Sequence, residues 1–418
     1  MYAVSGVKRY VQRIAMLSRN AKLYIGATIV QGLSFGIWGV IFNLYLNLPD
    51  VGFQPDFISN MFTASAIATG LVALPAGLLC ERIGPKKSLL IGLMSNFISL
   101  IQIVVLQPTV LLFASLFSGL IGTIGWVASV PFMVENSTKD ERTHLFSVNW
   151  SSMIIMSVIG NYVGGVMPDS FNLLLGLSIS PEMGSAVGYR LALVVSLVLA
   201  LAAAFPILLI KESKTLQRQK MVDLLALRNI RSHQAIVKFM IPTALIGFGA
   251  GFIVPLFNLF FKLRFSATTG QIGVISALGS VTLGIGILAA PLLSSKLGKV
   301  RSIVACQYFS MPFIMLMTLA PNLTLASTAY MTRGALMNMA GPINSTLQME
   351  LVTEKERATT NGLMIMADNI PRAATASISG RMMTGSDFYT PFLFTTATYF
   401  LASSLFFMFF RKTKDTLI

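Results

Sequence analysis

The sequence predicts an all-α membrane protein with 12 transmembrane helices in two pseudo-symmetric six-helix bundles. Three observations support this fold class. Of the 418 residues, 54% are hydrophobic and only 11% are charged, whereas a soluble domain carries about 25% charged residues. Apolar runs long enough to cross a bilayer recur along the whole chain. The second half of the chain also repeats polar residues of the first half at a nearly fixed spacing.

The individual spans follow from the rule that a membrane-crossing helix needs about 20 predominantly apolar residues. The twelve predicted spans lie near 23–47, 57–80, 88–107, 109–134, 145–167, 189–210, 238–261, 271–294, 301–320, 323–349, 359–382 and 388–410. The predicted domains are a leader at 1–22, a first bundle at 23–210, a linker at 211–237, a second bundle at 238–410 and a tail at 411–418.

The distribution of basic residues predicts the orientation. Of the 31 lysines and arginines, 25 lie in the leader, in the tail or in alternate loops on one side of the predicted topology. Cytoplasmic loops are enriched in these residues, so we expect both termini in the cytoplasm and a multi-pass protein of the plasma membrane. The net charge of +15 does not predict nucleic-acid binding, because the basic residues form short clusters between apolar runs. We expect a monomer.

An internal repeat relates the two halves at a shift of 215 residues. The polar matches are Asn43 with Asn258, Glu135 with Glu350, Thr138 with Thr353, Glu141 with Glu356 and Arg142 with Arg357. Shared polar residues at one fixed shift indicate two halves of the same topology. Such halves can rock against each other around a site at their interface, which gives alternating access.

The loop after the second span reads Gly77-Leu-Leu-Cys-Glu81-Arg82-Ile-Gly84-Pro85-Lys86-Lys87. It resembles the signature G-x-x-x-[DE]-R-x-G-x-[RK] of the major facilitator superfamily, which lies between helices 2 and 3 of twelve. A degraded copy follows at residues 291–301. The resemblance implies a secondary transporter in which this loop latches the two halves on the cytoplasmic side. The implied latch residues are Gly77, Glu81, Arg82, Gly84, Lys86 and Lys87.

Two further motifs carry the same resemblance. Glu135 with Arg142, and Glu350 with Arg357, are similar to the E-x6-R pairs that follow helices 4 and 10 in many members. They imply a charge network that forms and breaks during rocking, although solvated surface loops would show the same residues. Residues 160–165, Gly-Asn-Tyr-Val-Gly-Gly, resemble the end of an antiporter motif, with Asn161 in place of the expected proline. This similarity favours export.

Three formal charges are predicted well inside spans, namely Arg333, Asp368 and Arg372. A charge at the bilayer centre costs at least about 2.5–3.5 kcal/mol, so these side chains should face the interior or one another. One hypothesis makes Asp368 a protonation or cation site and Arg333 an anchor for an anion. The other makes Asp368 and Arg372, four residues apart, a mutually neutralising packing device. Pro371 predicts a broken or kinked helix here.

Four asparagines complete the candidate substrate- or ion-binding residues. They are Asn43, Asn149, Asn258 and Asn344. Asn43 and its repeat partner Asn258 could flank the pathway symmetrically, and hydrogen bonding between helices explains them equally well.

The sequence therefore favours a secondary transporter that exports a small organic solute with proton antiport. Uptake or exchange of an anionic solute remains an alternative, as does a non-transporting membrane receptor or assembly scaffold. The sequence contains no P-loop, no HExxH motif and no cluster of cysteine and histidine. We therefore expect no enzymatic activity, no metal, no cofactor beyond a coupled proton, and no partner beyond a small-molecule substrate and the lipid bilayer.

Overall fold

A computed structural model describes residues 17–177, 185–211, 232–353 and 356–412, and every regular element in this part of the chain is a helix. The described chain forms twelve helical units. They are α1 (Arg19–Leu46), α2 (Pro55–Ile83), α3 (Pro85–Val104), α4 (Pro108–Glu135), α5 (Lys139–Leu174), α6 (Ala186–Leu208), α7 (His233–Phe265), α8 (Thr269–Leu297), α9 (Lys299–Leu319), α10 (Leu323–Leu351), α11 (Arg357–Thr384) and α12 (Thr390–Phe410). The predicted fold class is confirmed.

The domain boundaries are only partly within the described residues. Most of the predicted leader and most of the linker, residues 1–16 and 212–231, lie outside them, as do residues 413–418 of the tail. Helix α1 already begins at Arg19, inside the predicted leader, where the Ser18 side chain accepts a hydrogen bond from the Ala21 N–H.

Ten of the twelve described units are long and apolar enough to cross a membrane. The remaining two, α10 and α11, match the predicted spans in position but are more polar. These two helices carry the three charges predicted inside spans, Arg333, Asp368 and Arg372. Intramembrane charges are usually placed where a substrate or ion passes, so the charged residues of α10 and α11 are candidate site residues.

Helix packing repeats the sequence duplication. In the first half, α1 packs on α5 and α6, and α4 packs on α2 and α3. The second half has the same pairs, α7 with α11 and α12, and α10 with α8 and α9. Two further pairs, α2 with α11 and α5 with α8, join the halves, and they are equivalent under the repeat. We call these two pairs the seam.

The bundle has two faces. The termini face carries the start of α1, the end of α12 and the loop between α2 and α3, and the distal face carries the opposite loops, such as 47–54 and 385–389. Hydrogen bonds join the halves toward the distal face. Thr63 Oγ1 donates to the Ala373 carbonyl at 2.8 Å, and Ser377 Oγ donates to Asn60 Oδ1 at 2.6 Å. The seam is therefore closed on the distal side.

Small residues make the distal seam tight. A Cβ added to Gly165 of α5 would lie 2.7 Å from the Gly273 Cα of α8. A Cβ on Gly380 of α11, the repeat partner of Gly165, would collide with the Ser59 side chain of α2. Both members of the seam thus depend on a glycine at the same repeated position, which lets the backbones approach closely.

Of the broken or kinked α11 expected from Pro371, the break is absent. Helix α11 runs unbroken from Arg357 to Thr384 with Pro371 inside it. A break occurs instead in α7, where a 3₁₀ turn at Val254–Leu256 contains Pro255. Backbone groups at membrane depth need hydrogen-bond partners where a helix is interrupted, and the Pro255 carbonyl has one in the other half, the side-chain amide of Asn43.

Candidate substrate pathway

Two asparagines on α1 and α7 form a reciprocal pair of contacts between the halves near the distal face, which we call the clasp. Asn43 Nδ2 of α1 donates to the Pro255 carbonyl of α7 at 3.0 Å. Asn258 Nδ2 of α7 donates to the Gly39 and Val40 carbonyls of α1, at 2.6 and 3.0 Å. Val40 and Pro255 are 215 residues apart, as are the two donors, so each half offers the same donor and the same acceptor. The structure thus brings Asn43 and Asn258 together.

Two cavities flank the clasp and share Asn43 and Pro255 as lining residues. The first-half cavity, about 230 Å³, lies mainly among α1, α2, α3 and α4. The second-half cavity, about 280 Å³, lies among α1, α7, α8 and α10 and is bordered by Asn258 and Arg333. Three of the predicted binding residues therefore border one cavity at the interface of the halves.

Arg333 is held by aromatic groups. Its side chain is 6% exposed, and its Nη2 donates to the Tyr399 hydroxyl at 3.0 Å. The guanidinium also lies over the Phe257 and Tyr399 rings, 5.6 and 5.9 Å from their centroids. Its Nε has no hydrogen-bond partner among the described residues. The arrangement keeps the cation in place but leaves donors unused.

Asp368 and Arg372 form an ion pair within α11. Arg372 Nη2 lies 2.7 and 2.8 Å from the two carboxylate oxygens, and its Nε lies 3.1 Å from Oδ2. The side chains are 29% and 19% exposed, respectively. The backbone of both residues packs on Gly247 and Gly251 of α7, where an added Cβ would collide. Neither residue borders the second-half cavity.

The other two asparagines occupy different surroundings. Asn149 of α5 is buried, and its Oδ1 accepts a hydrogen bond from Thr28 Oγ1 of α1 at 2.8 Å, so it joins two helices of the same half. Asn344 lies in the termini-side half of α10, and its buried Oδ1 has no partner among the described residues. Neither lines the two cavities beside the clasp.

A cleft of about 320 Å³ lies between the halves on the termini face. It is bordered by α2, α4 and α5 of the first half and by α11 of the second, and its lining includes the signature residues Gly77 and Glu81. Trp126 and Trp150 meet edge to face in it, with ring centroids 5.9 Å apart, and they are 55% and 46% exposed. A cleft between the halves on the termini face thus accompanies the closed distal seam.

The signature loop has the backbone that its glycines predict. Gly84 ends α2 at φ 93°, ψ 151°, a conformation essentially restricted to glycine, and its counterpart Gly298 has φ 78°, ψ 162°. Lys86 Nζ donates to the Ile210 carbonyl at the end of α6, at 2.7 Å. Glu81, Arg82 and Lys87 are exposed, and no hydrogen bond holds Glu81 or Arg82 within the described chain.

The E-x6-R residues make equivalent contacts in the two halves. Arg142 Nη2 donates to the Val134 carbonyl at 3.4 Å, and Arg357 Nε donates to the Met349 carbonyl at 3.2 Å. Each arginine therefore stabilises the last carbonyls of the preceding helix, where a cation is favourable. Glu350 is engaged by Lys299, with Nζ to Oε2 at 2.7 Å, whereas Glu135 is exposed.

Sequence reasoning missed the groups that hold these residues. Tyr399 gave no signal, because an isolated tyrosine in an apolar span looks like ordinary packing. The Pro255 and Val40 carbonyls are equivalent under the repeat, but nothing in the sequence distinguishes them from other backbone carbonyls. Lys262, one helical turn beyond Asn258, is not among the predicted site residues, yet its buried Nζ has no partner among the described residues. Trp126 is not among them either, although it lines the cleft.

A duplicated helical bundle with a seam closed on one face and a cleft on the other defines a polytopic membrane transporter, not an enzyme. The sequence model of the Major Facilitator Superfamily matches residues 24–262 and 239–417, and the chain belongs to this family. Transporters of this family generally need no cofactor. Among curated proteins, no sequence matches the chain.

Solved transporters share the fold over almost the whole chain. The nucleoside transporter NupG superposes with a TM-score of 0.70 at 15% identity, covering 95% of this chain and 100% of its own. A bacterial homologue of the human lysosomal transporter Spinster, inward-facing and unoccupied, gives 0.71 at 12% identity and covers 94% and 97%. A bacterial homologue of the iron transporter ferroportin, also inward-facing, gives 0.71 at 14% identity and covers 94% and 98%. At these identities the similarity establishes the fold alone.

Proposed function

We propose that the protein carries a small organic solute across the plasma membrane by alternating access, with its site in the cavities beside the clasp. The reciprocal clasp carries this proposal, because it closes one face with contacts that both halves supply. The proposal has both termini in the cytoplasm, because most lysines and arginines of the described residues lie toward the termini face and cytoplasmic loops are enriched in them. The state described here is then closed outside and open inside.

The clasp is weak enough to open. Each of its three hydrogen bonds joins a neutral amide to a carbonyl, and such a bond contributes about 0.5–1.5 kcal/mol. The clasp as a whole is therefore worth about 2–4 kcal/mol, which is comparable to the gap between two populated conformations. Opening it would free the Asn43 amide at the wall of both cavities and the Asn258 amide at the wall of the second-half cavity, where a solute could take the place of the carbonyls.

Cysteine accessibility tests this proposal. In a background with Cys80 and Cys306 replaced by serine, Asn43→Cys and Asn344→Cys are labelled from each side with a membrane-impermeant reagent. If the halves rock, the side from which Asn43→Cys reacts changes when Asn258→Ala weakens the clasp. Leu177→Cys and Arg411→Cys, in the distal loop and at the end of α12, serve as controls for sidedness. Labelling of Asn43→Cys and Asn344→Cys from one side under every condition would argue for a static receptor or scaffold.

Export with proton antiport through Asp368 is the second proposal, and one observation favours it. Asp368 is the acid predicted inside the membrane, and it lies on α11, the helix that meets α2 across the seam. Rocking would move α11 against α2 and change the surroundings of the Asp368–Arg372 pair. A carboxylate that exchanges its arginine partner for a proton in one state would couple transport to a pH gradient.

A further inference from the structure

Arg333 lacks both an acidic partner and a full set of hydrogen-bond acceptors within the described chain. The guanidinium is almost fully buried, and no carboxylate pairs with it within the described chain. Only Nη2 has a hydrogen bond, to Tyr399, while Nε and Nη1 make none there. Stacking on two rings places the cation but does not neutralise it. A buried charge is ordinarily paired, because removing it from water without a partner is very costly.

Comparison with other arginines shows that this feature is specific. Arg372 is neutralised by Asp368 in the same part of the bundle. Arg190 of α6 also donates to a tyrosine hydroxyl, with Nε to Tyr45 Oη at 2.8 Å, and also lies over that ring, but it borders none of the cavities described above. Arg333 is the member of this group that faces a cavity.

The internal repeat also shows that the charge of Arg333 is specific to one cavity. Subtraction of 215 places Arg333 on Ser118, and Ser118 borders the first-half cavity just as Arg333 borders the second-half cavity. Two equivalent cavities therefore differ by one permanent charge. Because each half keeps the asparagine of the clasp, the cation is an addition to one cavity and not part of the shared scaffold.

The rest of the second-half cavity suits an anion. Its polar lining includes the side chains of Asn43, Asn258, Ser280 and Asn338, all of which can donate hydrogen bonds, and no acidic residue lines it. The Phe257 and Tyr330 rings supply an apolar wall. The volume of about 280 Å³ is just below the roughly 300–1,000 Å³ of sites for drug-sized ligands.

We infer that the second-half cavity binds a small organic anion, a carboxylate or a phosphate monoester, through the guanidinium of Arg333. This inference rests on the proposed transport function and names the substrate class of the same site. The unpaired N–H groups of Arg333 receive the anionic oxygens, since a guanidinium presents its N–H groups as a fork that matches both anions. Protein atoms enclose Nε in this state, so its surroundings must open before that donor is used. The Asn43 and Asn258 amides bind the polar remainder of the solute once the clasp opens and releases them from the carbonyls, and the rings pack against its apolar part.

Thermal unfolding of the purified full-length protein tests the inference. The probes are matched in size and differ in charge: benzoate and phenyl phosphate as anions, benzamide as the neutral analogue and benzylamine as the cation. At low chloride, the anions should raise the Tm and the other two should not. Benzoate and phenyl phosphate together distinguish the carboxylate from the phosphate. If neither anion stabilises the protein more than benzamide does, the inference is overturned.

Substitutions of Arg333 test whether the anions bind at this residue. Arg333→Gln should weaken anion binding roughly tenfold or more, because a charge-assisted hydrogen bond is lost. Arg333→Lys keeps the charge without the fork, so it should fold and bind the anions with intermediate affinity. Arg190→Gln, at an exposed arginine that also donates to a tyrosine hydroxyl, is the control and should leave anion binding unchanged. Anion binding that is unchanged in both Arg333 variants would overturn the inference.

The two proposals fail in different ways. If the cysteine labels alternate between sides while no anion binds, the transport proposal stands and the substrate class is wrong. If anions bind through Arg333 but the labels never alternate, the cavity belongs to a static receptor and the transport proposal is wrong.

Discussion

The three intramembrane charges are stabilised in two different ways. Asp368 and Arg372 share one helix face and neutralise each other with short contacts. Arg333 instead relies on a hydroxyl and two aromatic faces, which leaves its charge available to a ligand. The first arrangement is complete in itself, and the second requires something from outside the chain.

The Asp368–Arg372 pair permits a prediction that separates packing from coupling. Asp368→Asn leaves Arg372 unpaired and should destabilise the protein by about 2 kcal/mol, less than the 3–5 kcal/mol of a fully buried pair because both groups are partly exposed. Asp368→Asn combined with Arg372→Gln should regain most of this loss. Stability is followed by thermal unfolding of the purified variants.

Transport by the same variants tests proton antiport. If Asp368 carries the proton, both variants should lose transport driven by a pH gradient while solute exchange continues. An unchanged pH dependence in the stable double variant would leave Asp368 a packing residue only.

At the scale of elements, the seam depends on repeated glycines. Gly165 and Gly380 occupy the same position of the repeat and remove the side chain where α5 meets α8 and where α11 meets α2. Any side chain at these positions must push the distal ends of the halves apart. The closed distal face is therefore limited by helix-to-helix distance and not only by the clasp.

Gly165→Val should disfavour the distal-closed state by about 1–3 kcal/mol, the usual cost of overpacking. The expected readout is increased labelling of Asn43→Cys from the distal side. Gly341→Val is the matched control, since Gly341 also lies inside a helix but a Cβ there would meet nothing within 4 Å. Equal labelling in the two variants would contradict the argument.

The elements were largely predictable, and the contacts between them were not. Hydrophobic runs place the twelve helices, because the bilayer requires a minimum length of apolar chain. The repeat identifies Asn43 and Asn258 as equivalent, but their acceptors are backbone carbonyls, which sequence does not distinguish. Pro371 looked like a helix break because proline removes a hydrogen bond, yet the break occurred at Pro255. The packing around each proline determines whether the membrane helix continues through it or is interrupted.

At the scale of the whole molecule, the termini-side cleft and the closed distal seam lie on opposite faces between the two halves. When the distal ends of α2 and α11 touch, the cleft on the other face exposes Trp126 and Trp150. A rocking motion that separated the distal ends would bring the lining of the cleft together, including Gly77 and Glu81 of the signature loop. The latch expected from the family resemblance would engage in that second state.

Tryptophan fluorescence should report this closure. A Trp38→Phe variant leaves only Trp126 and Trp150, and acrylamide should quench both readily in the state described here. Addition of Gly165→Val should reduce the quenching, because the cleft closes as the distal face opens. A variant with Trp38 as its only tryptophan provides the comparison for global changes. Quenching that is independent of Gly165→Val would contradict a rigid rocking motion.

The clasp makes each half complementary to itself. The first half holds both an amide donor, Asn43, and the acceptor carbonyl of Val40, and the second half holds the matching pair. Two separate copies of one six-helix unit could therefore associate through the same two contacts, each copy donating from its asparagine and accepting at its carbonyl, as in an isologous dimer. In the single chain the two halves differ, since Arg333 stands where the first half has Ser118. This difference gives the transporter an asymmetry that a symmetric pair could not have.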